Sequence, residues 1–274
     1  MIADCHMHMV LDGVDWKSSI GRGVDDGFIR KTLQTYKDLG YRYLRDGGDR
    51  FGVGKRAREL AADYGITYRT PLAPLCKAGH YGSFIGLAWE DLSHYAQLVR
   101  RQKEEGGDFI KIMISGLMDF SQCGVLTEEG LSPTEIRQLV HIAHEEGMAV
   151  MAHCNGAEAA IAAAEARVDS IEHGAYLNEE ALCAMAENGV IWVPTVSTVG
   201  NLIGRGRFPD RAVIPIFEHF LKNIATYQGL LAPGTDAGAW SVPHGCETEQ
   251  AFLAQAGITD ARLEEGIHAI MEKF

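Results

Sequence analysis

Two histidines spaced by one residue, His6 and His8, stand in Asp4-Cys5-His6-Met7-His8, directly after the apolar Met1-Ile2-Ala3. On a β-strand alternate side chains share a face, so the two imidazoles would project together, with Cys5 and Met7 turned away. Paired imidazoles are half of a transition-metal site. Solvated or hydrogen-bonded histidines would give the same pattern, so the pair gains meaning only if other ligand types recur at matching places. They do. Lys111 lies within Phe109-Ile110-Lys111-Ile112-Met113, His153 ends Met151-Ala152-His153, His173 lies in Ile171-Glu172-His173-Gly174, and Asp236 lies in Gly234-Thr235-Asp236-Ala237-Gly238. Each also has a plainer reading: a buried hydrogen-bonded histidine, a lysine stem lying along apolar surface, or a turn aspartate capping a helix.

Short apolar runs alternate with helical patterns along the chain, and these runs position the candidates. Strands are predicted over Ile2–His8, Tyr41–Arg45, Ile66–Pro71, Phe109–Ile114, Ala149–His153, Ser170–His173, Val190–Pro194 and Leu230–Thr235. Helices are predicted over Gly27–Leu39, Gly54–Tyr64, Trp89–Glu105, Pro133–Glu146, Ala157–Ala166, Asn178–Asn188, Arg211–Gln228, Glu247–Ala256 and Asp260–Lys273. Ser132 before Pro133 and Glu135 reads as an N-cap with proline at the first helical position. Gly147 reads as a helix C-cap, and Asn178-Glu179-Glu180 suits a helix start. Strands each followed by a helix point to an α/β fold, a (β/α)8 barrel spanning residues 1–274 as one catalytic domain. The alternative is a doubly wound open sheet, but the first turn lacks G-x-G-x-x-G, and Gly21-Arg22-Gly23 is read as loop. In a barrel the site forms at the carboxyl ends of the strands, where His6, His8, Lys111, His153, His173 and Asp236 all fall.

Composition narrows the partners. The 274 residues carry a net charge of −12 with no extended basic cluster, which argues against nucleic acid and anionic membrane surfaces. No apolar run is long enough to span a bilayer, and the first residues do not resemble a signal peptide, so a cytoplasmic location is expected. The 6 cysteines are scattered without a C-x-x-C pair, as suits reduced thiols. Cys5 and Cys154 adjoin candidate ligands, but on strands they would face away from them.

On these motifs the chain resembles the amidohydrolase superfamily, and more closely its imidazolonepropionase-like and prolidase-like (Xaa-Pro or Xaa-Arg dipeptidase) branch. The local marks of the branch are Ile110-Lys111-Ile112-Met113-Ile114-Ser115-Gly116, Ser170-Ile171-Glu172-His173-Gly174 and Val193-Pro194-Thr195. Relatives in this branch usually carry a small β-sandwich built from segments flanking the barrel; here the expectation is the barrel alone. The resemblance implies a binuclear metal centre. His6, His8 and Asp236 would bind one ion, His153 and His173 the second, and Lys111 would bridge them as a carboxylated lysine. A protonated lysine would repel cations, whereas the carbamate formed with carbon dioxide is anionic. The donor types suit zinc, with manganese, iron and cobalt as alternatives.

A hydroxide bridging the ions would attack a polarised carbonyl, and Asp236 would act as general base and then general acid. The implied activity is hydrolysis of an amide in a small molecule: a dipeptide, an N-acyl amino acid or a cyclic amide. Ester, lactone or phosphotriester hydrolysis by the same centre is the alternative, as is a non-catalytic metal-binding relic. His80, in Gly79-His80-Tyr81-Gly82, is expected to hydrogen-bond the scissile carbonyl, and Tyr176 to hold a substrate carboxylate. Arg45 and His244 are further candidates for the pocket. His141 and His144 share a face of an outer helix and read as surface residues. Self-association into a homo-oligomer is left open.

Overall fold

The computed structural model describes residues 1–274. Nine parallel strands and eleven helices alternate: β1 (Ile2–Met7), α1 (Trp16–Arg22), α2 (Asp26–Asp38), β2 (Tyr41–Asp46), α3 (Val53–Ala61), β3 (Thr67–Arg69), β4 (Leu75–Lys77), β5 (Leu87–Trp89), α4 (Leu92–Glu104), β6 (Ile110–Met113), α5 (Pro133–Glu145), β7 (Val150–Cys154), α6 (Ala157–Glu165), β8 (Ser170–His173), α7 (Glu179–Glu187), β9 (Ile191–Val193), α8 (Ser197–Gly200), α9 (Asp210–Thr226), α10 (Thr248–Gln255) and α11 (Asp260–Lys273). One sheet runs β1-β2-β3 and the other β5-β4-β6-β7-β8-β9. The sheets follow one another from β3 to β4, and residues 230–237 bridge β9 back to β1. Leu230 and Ala232 exchange backbone bonds with Trp192 at 2.9 and 3.0 Å, Cys5 donates to the Pro233 carbonyl, Asp236 donates to the His6 carbonyl and His8 donates to the Ala237 carbonyl. The result is a (β/α)8 barrel.

Several expected boundaries are corrected. The predicted strand Leu230–Thr235 is a series of single bridges at Leu231 and Ala237 rather than a regular strand. Pro233 has no N–H to donate, and Asp236 takes a positive φ of 55°. The predicted strand Ile66–Pro71 stops at Arg69; Pro71, Leu72 at φ 69° and Pro74 interrupt it, and pairing resumes at β4. Trp89, expected in a helix, ends β5, because Asp91 caps α4 instead, accepting from the His94 N–H. Gly21 and Arg22, expected in a loop, belong to α1, whose cap Asp15 accepts from the N–H groups of Lys17 and Ser18. The Ser132–Glu135 capping box and the Asn178 cap form as expected.

Three apolar clusters hold the layers together. The largest packs the outer faces of β6–β9 (Ile110, Ile112, Val150, Ala152, Cys154) against α4–α7 and α9. A second packs Met7, Tyr41 and Leu44 against α2 and α3. The third joins Ala3, Cys5, Tyr43, Phe109, Met151, Ile191, Val193 and Ala232 with Ile270 of α11 and Phe274, which follows it. Side chains from strands that are not neighbours meet only inside the barrel, so this cluster is its floor. Cys5 therefore points inward, contrary to the alternation expected of β1. The register with β2 shifts between Asp4 and Met7, and such a bulge breaks the two-residue period. Cys154 does face outward as expected, and all 6 cysteines are free. No helix is long and apolar enough to cross a membrane.

Candidate metal centre

Above the apolar floor lies a buried ion pair. Arg45, from β2, places Nη2 2.8 Å from Glu172 Oε1 and stacks 4.4 Å from the Phe274 ring, and both charged side chains have 0% exposure. Its Nε donates to the Cys5 carbonyl and its Nη1 to Ser170 Oγ. Glu172 Oε2 in turn stands 2.6 Å from His6 Nδ1. Arg45 thus lies beneath the pocket and does not line it. A carboxylate at Nδ1 fixes that nitrogen as the protonated one, leaving the Nε2 lone pair free for a ligand role.

His6 Nε2, His8 Nε2 and Asp236 Oδ1 then form a near-equilateral triangle, with separations of 3.4, 3.5 and 3.4 Å. Ligands about 2.0–2.1 Å from a tetrahedral zinc stand about 3.3–3.4 Å apart, so this triangle has the size of one ion's ligand face. Asp236 Oδ2 lies 4.0 Å from His173 Nδ1. His6, His173 and Asp236 offer ligand atoms all within 4.8 Å of one another. The His153 and His173 rings are 4.6 Å apart. His153 Nε2 lies 3.2 Å from the Gly116 carbonyl, an acceptor that holds the proton on Nε2 and leaves Nδ1 unprotonated. His173 Nδ1 is 2.7 Å from Thr195 Oγ1.

The electrostatics keep these groups in donor form. Burial, followed by the Lys111 charge, lowers His6 far below the usual imidazole range and brings His8 and His153 down to about 3; burial, followed by the neighbouring His153 and His6, lowers His173 as far. Burial also pulls Lys111 below the ordinary lysine range and pushes Asp236 above the ordinary carboxylate range. Lys111 alternates with Ile110 and Ile112 on β6, so it faces inward while they face the helices. Its Nζ and the His8 Nδ1 are buried without any hydrogen-bond partner. A lone buried amine inside a ring of imidazoles is costly unless something else completes the site. A divalent ion pair with a carboxylated lysine meets that need, so the residues present fit the implied group.

Backbone strain concentrates here. His173, Thr195 and Asp236 all have positive φ, at 69°, 49° and 55°. For β-branched Thr195 this is a genuine outlier, and such strain gathers at functional sites. Two glycines make room for the candidate ligands His8 and His6. A Cβ on Gly47 would lie 2.2 Å from His8 Cε1, and one on Gly234 would lie 2.4 Å from Val193 Cγ1 and 2.9 Å from His6 Cβ. Gly47→Ala should therefore displace the His8 ring and weaken binding of added zinc at least tenfold by calorimetry, with little change in far-UV dichroism; unchanged affinity would show that His8 is not a ligand.

The segment carrying Thr195 is pinned by Glu249 at the start of α10, which accepts from the N–H groups of Val196 and Ser197 at 3.1 and 2.7 Å. Burial pushes this carboxyl up to about 8, against those hydrogen bonds. A carboxyl raised in the folded state favours folding while protonated. Its contribution is complete below the unfolded value of about 4.3 and falls as pH rises toward 8. Glu249→Gln should flatten that part of the profile: the wild-type minus variant difference in melting temperature should fall between pH 5 and 8, and a constant difference would refute the assignment.

The remaining sequence candidates sit elsewhere. The cavity over the cluster has a volume of 590 Å³ and is lined by His6, His8, Lys111, His153, His173 and Asp236, but by neither His80 nor Tyr176. His80 Nδ1 lies 3.7 Å from Glu128, on the half-exposed loop after β4. The next residue, Tyr81, lines the cavity, with its ring 4.9 Å from His153. Tyr176 packs near His219, ring centroids 6.4 Å apart. His244 is occupied in bonds to Tyr36 and the Leu11 carbonyl. His144 binds Asp169 on the outer surface. Sequence reasoning missed Glu172, Thr195 and Tyr81. Glu172 alone carried a signal, a carboxylate inside an apolar strand next to a candidate ligand.

The chain matches the Amidohydrolase family over residues 59–237. Ochratoxinase of Aspergillus niger is 28% identical over 158 residues, which are 56% of this chain and 30% of that protein. An uncharacterized protein of Mycobacterium tuberculosis is 27% identical over 236 residues, 82% of this chain and 62% of that one. This chain therefore spans under two thirds of these relatives' length. Among solved structures, a Xaa-Pro dipeptidase with bound methionine superposes with a TM-score of 0.77 at 21% identity, covering 99% of this chain and 75% of that one.

Proposed function

The chain belongs to the amidohydrolase family, and on that premise we propose that it is a metal-dependent hydrolase of an amide bond in a small molecule. The observation that carries this reading is the 3.4–3.5 Å triangle of His6, His8 and Asp236 beside the unpartnered Lys111 amine. His6, His8 and Asp236 would hold one ion, His153 and His173 the other, and carboxylated Lys111 would stand between them; zinc suits these donors. When bound, the ions supply Lewis acidity toward the substrate carbonyl and lower the pKa of water at the site.

The chain's own residues do the rest. Glu172 holds the His6 tautomer, and Arg45 holds Glu172. Asp236 Oδ takes the proton of the attacking water as the new C–O bond forms. It then delivers that proton to the amide nitrogen as the C–N bond breaks, giving a carboxylic acid and an amine. Tyr81 and the apolar walls limit water beside His153.

The test is a panel of dipeptides, N-acyl amino acids, cyclic amides and esters, assayed with chelator-treated and zinc-reloaded protein. Amide turnover that disappears on chelation and returns with zinc supports the reading. Turnover of esters or phosphotriesters alone would reassign the substrate, and no turnover with bound metal would favour a binding role.

A further inference from the structure

Where β6, β7 and β8 end, having carried Lys111, His153 and His173, the parallel ladder gives way to loops. One side chain joins all three. Asn155, two residues after His153, is 1% exposed and reaches the wall of the cavity. Its Oδ1 accepts the N–H of Ala175, two residues after His173, at 2.9 Å. Its Nδ2 donates to the carbonyl of Gly116, in the loop after β6, at 3.1 Å. Its own N–H donates to Ser115 Oγ at 2.8 Å. A backbone N–H only donates and a carbonyl only accepts, so the two ends of this amide cannot be exchanged. Gly116 is also held from its other side, where a Cβ would lie 2.6 Å from both the Glu128 nitrogen and Thr127 Oγ1.

The Gly116 carbonyl is the atom that meets His153 Nε2, at 3.2 Å. Asn155 Nδ2 stands 3.4 Å from the same nitrogen, and the two contacts demand opposite tautomers. With the proton on Nε2, the ring donates to Gly116 and Nδ1 keeps the lone pair a ligand needs. With Nε2 bare, it would accept from Asn155, and the proton on Nδ1 would close that atom to an ion. A bare Nε2 would also set two acceptors against each other, because the Gly116 carbonyl is fixed in front of it. The held carbonyl therefore selects the first tautomer. Resting on the metal-dependent hydrolase reading above, we infer that Asn155 is a positioning residue for the ligands His153 and His173. It sets the carbonyl that fixes the His153 tautomer, and through Ala175 it pins the segment that follows His173. None of its bonds reaches His6, His8 or Asp236.

The experiment has two arms. In metal-free protein, the imidazole nitrogen NMR resonances of His153, assigned against His153→Gln, should show a protonated Nε2 and a bare Nδ1. In Asn155→Ala the carbonyl is released and both tautomers should be populated. A bare Nε2 in the wild type would overturn the inference however the variant folds, and so would a tautomer unmoved by Asn155→Ala. The second arm is a calorimetric zinc titration of both proteins. Asn155→Ala should weaken one binding step by about 10–100-fold, the usual cost of losing a partner that orients a ligand, and the other by less than about twofold. An equal loss at both steps, which general damage to the fold would produce, or no loss at either, would overturn the inference. Zinc binding to neither protein would count against the metal reading alone, because the tautomer still decides whether Asn155 sets His153.

Discussion

Asp236→Asn should lower kcat on the best amide substrate by about 10²–10⁴-fold, the range expected when a general acid–base group is lost. Asparagine keeps the size and the oxygen of the side chain but can neither take nor return a proton. The fold should survive the change, because the Asp236 contacts that close the barrel are made by its backbone, with its N–H donating to the His6 carbonyl at 2.7 Å. Metal-free protein should even gain stability: burial disfavours the Asp236 carboxylate in the folded chain, and the neutral amide removes that cost. Thermal melting of the stripped variant beside kinetics of the reloaded one separates the two effects. Full turnover by Asp236→Asn would remove it from the chemistry.

The second large effect lies a layer deeper. Arg45→Met should destabilise the protein by about 3–5 kcal/mol, the usual result when one partner of a buried ion pair is deleted. Glu172 would keep its buried charge with only Ser170 and His6 to hold it. The loss should also reach the site, because Glu172 fixes the proton on His6 Nδ1 at 2.6 Å, and disturbing such a partner typically costs 10–100-fold in metal affinity. The double variant Arg45→Met/Glu172→Gln should recover part of the stability but none of the metal affinity. Urea unfolding and zinc titration of the three variants check this. A single variant as stable as wild type would mean that the pair does not bear on the fold.

The convergence of the candidate residues was legible because it obeys a simple positional rule. Lys111, His153 and His173 take inward-facing positions in short apolar runs, and inward side chains of barrel strands converge. Three features escaped for physical reasons. The bulge in β1 turns Cys5 into the floor, and no period-two reading detects a register shift. The strand broken at Pro71 and Pro74, and the bridged segment around Pro233, are held by tertiary pairing rather than local propensity. His80, Tyr176 and His244 failed as pocket residues because loops fix their direction by contacts remote in sequence. Tyr81 and His80 are neighbours, yet only the former lines the cavity.

The most direct measurement is a zinc titration of chelator-stripped protein with amide turnover followed at each addition. Turnover should be absent at the start, rise with added metal and level off at two ions per chain, with loss of either end of the ligand set, His8 or Lys111, lowering that endpoint. Full turnover by the stripped protein, or saturation at well under one ion per chain, would contradict a metal centre built from His6, His8, Lys111, His153, His173 and Asp236.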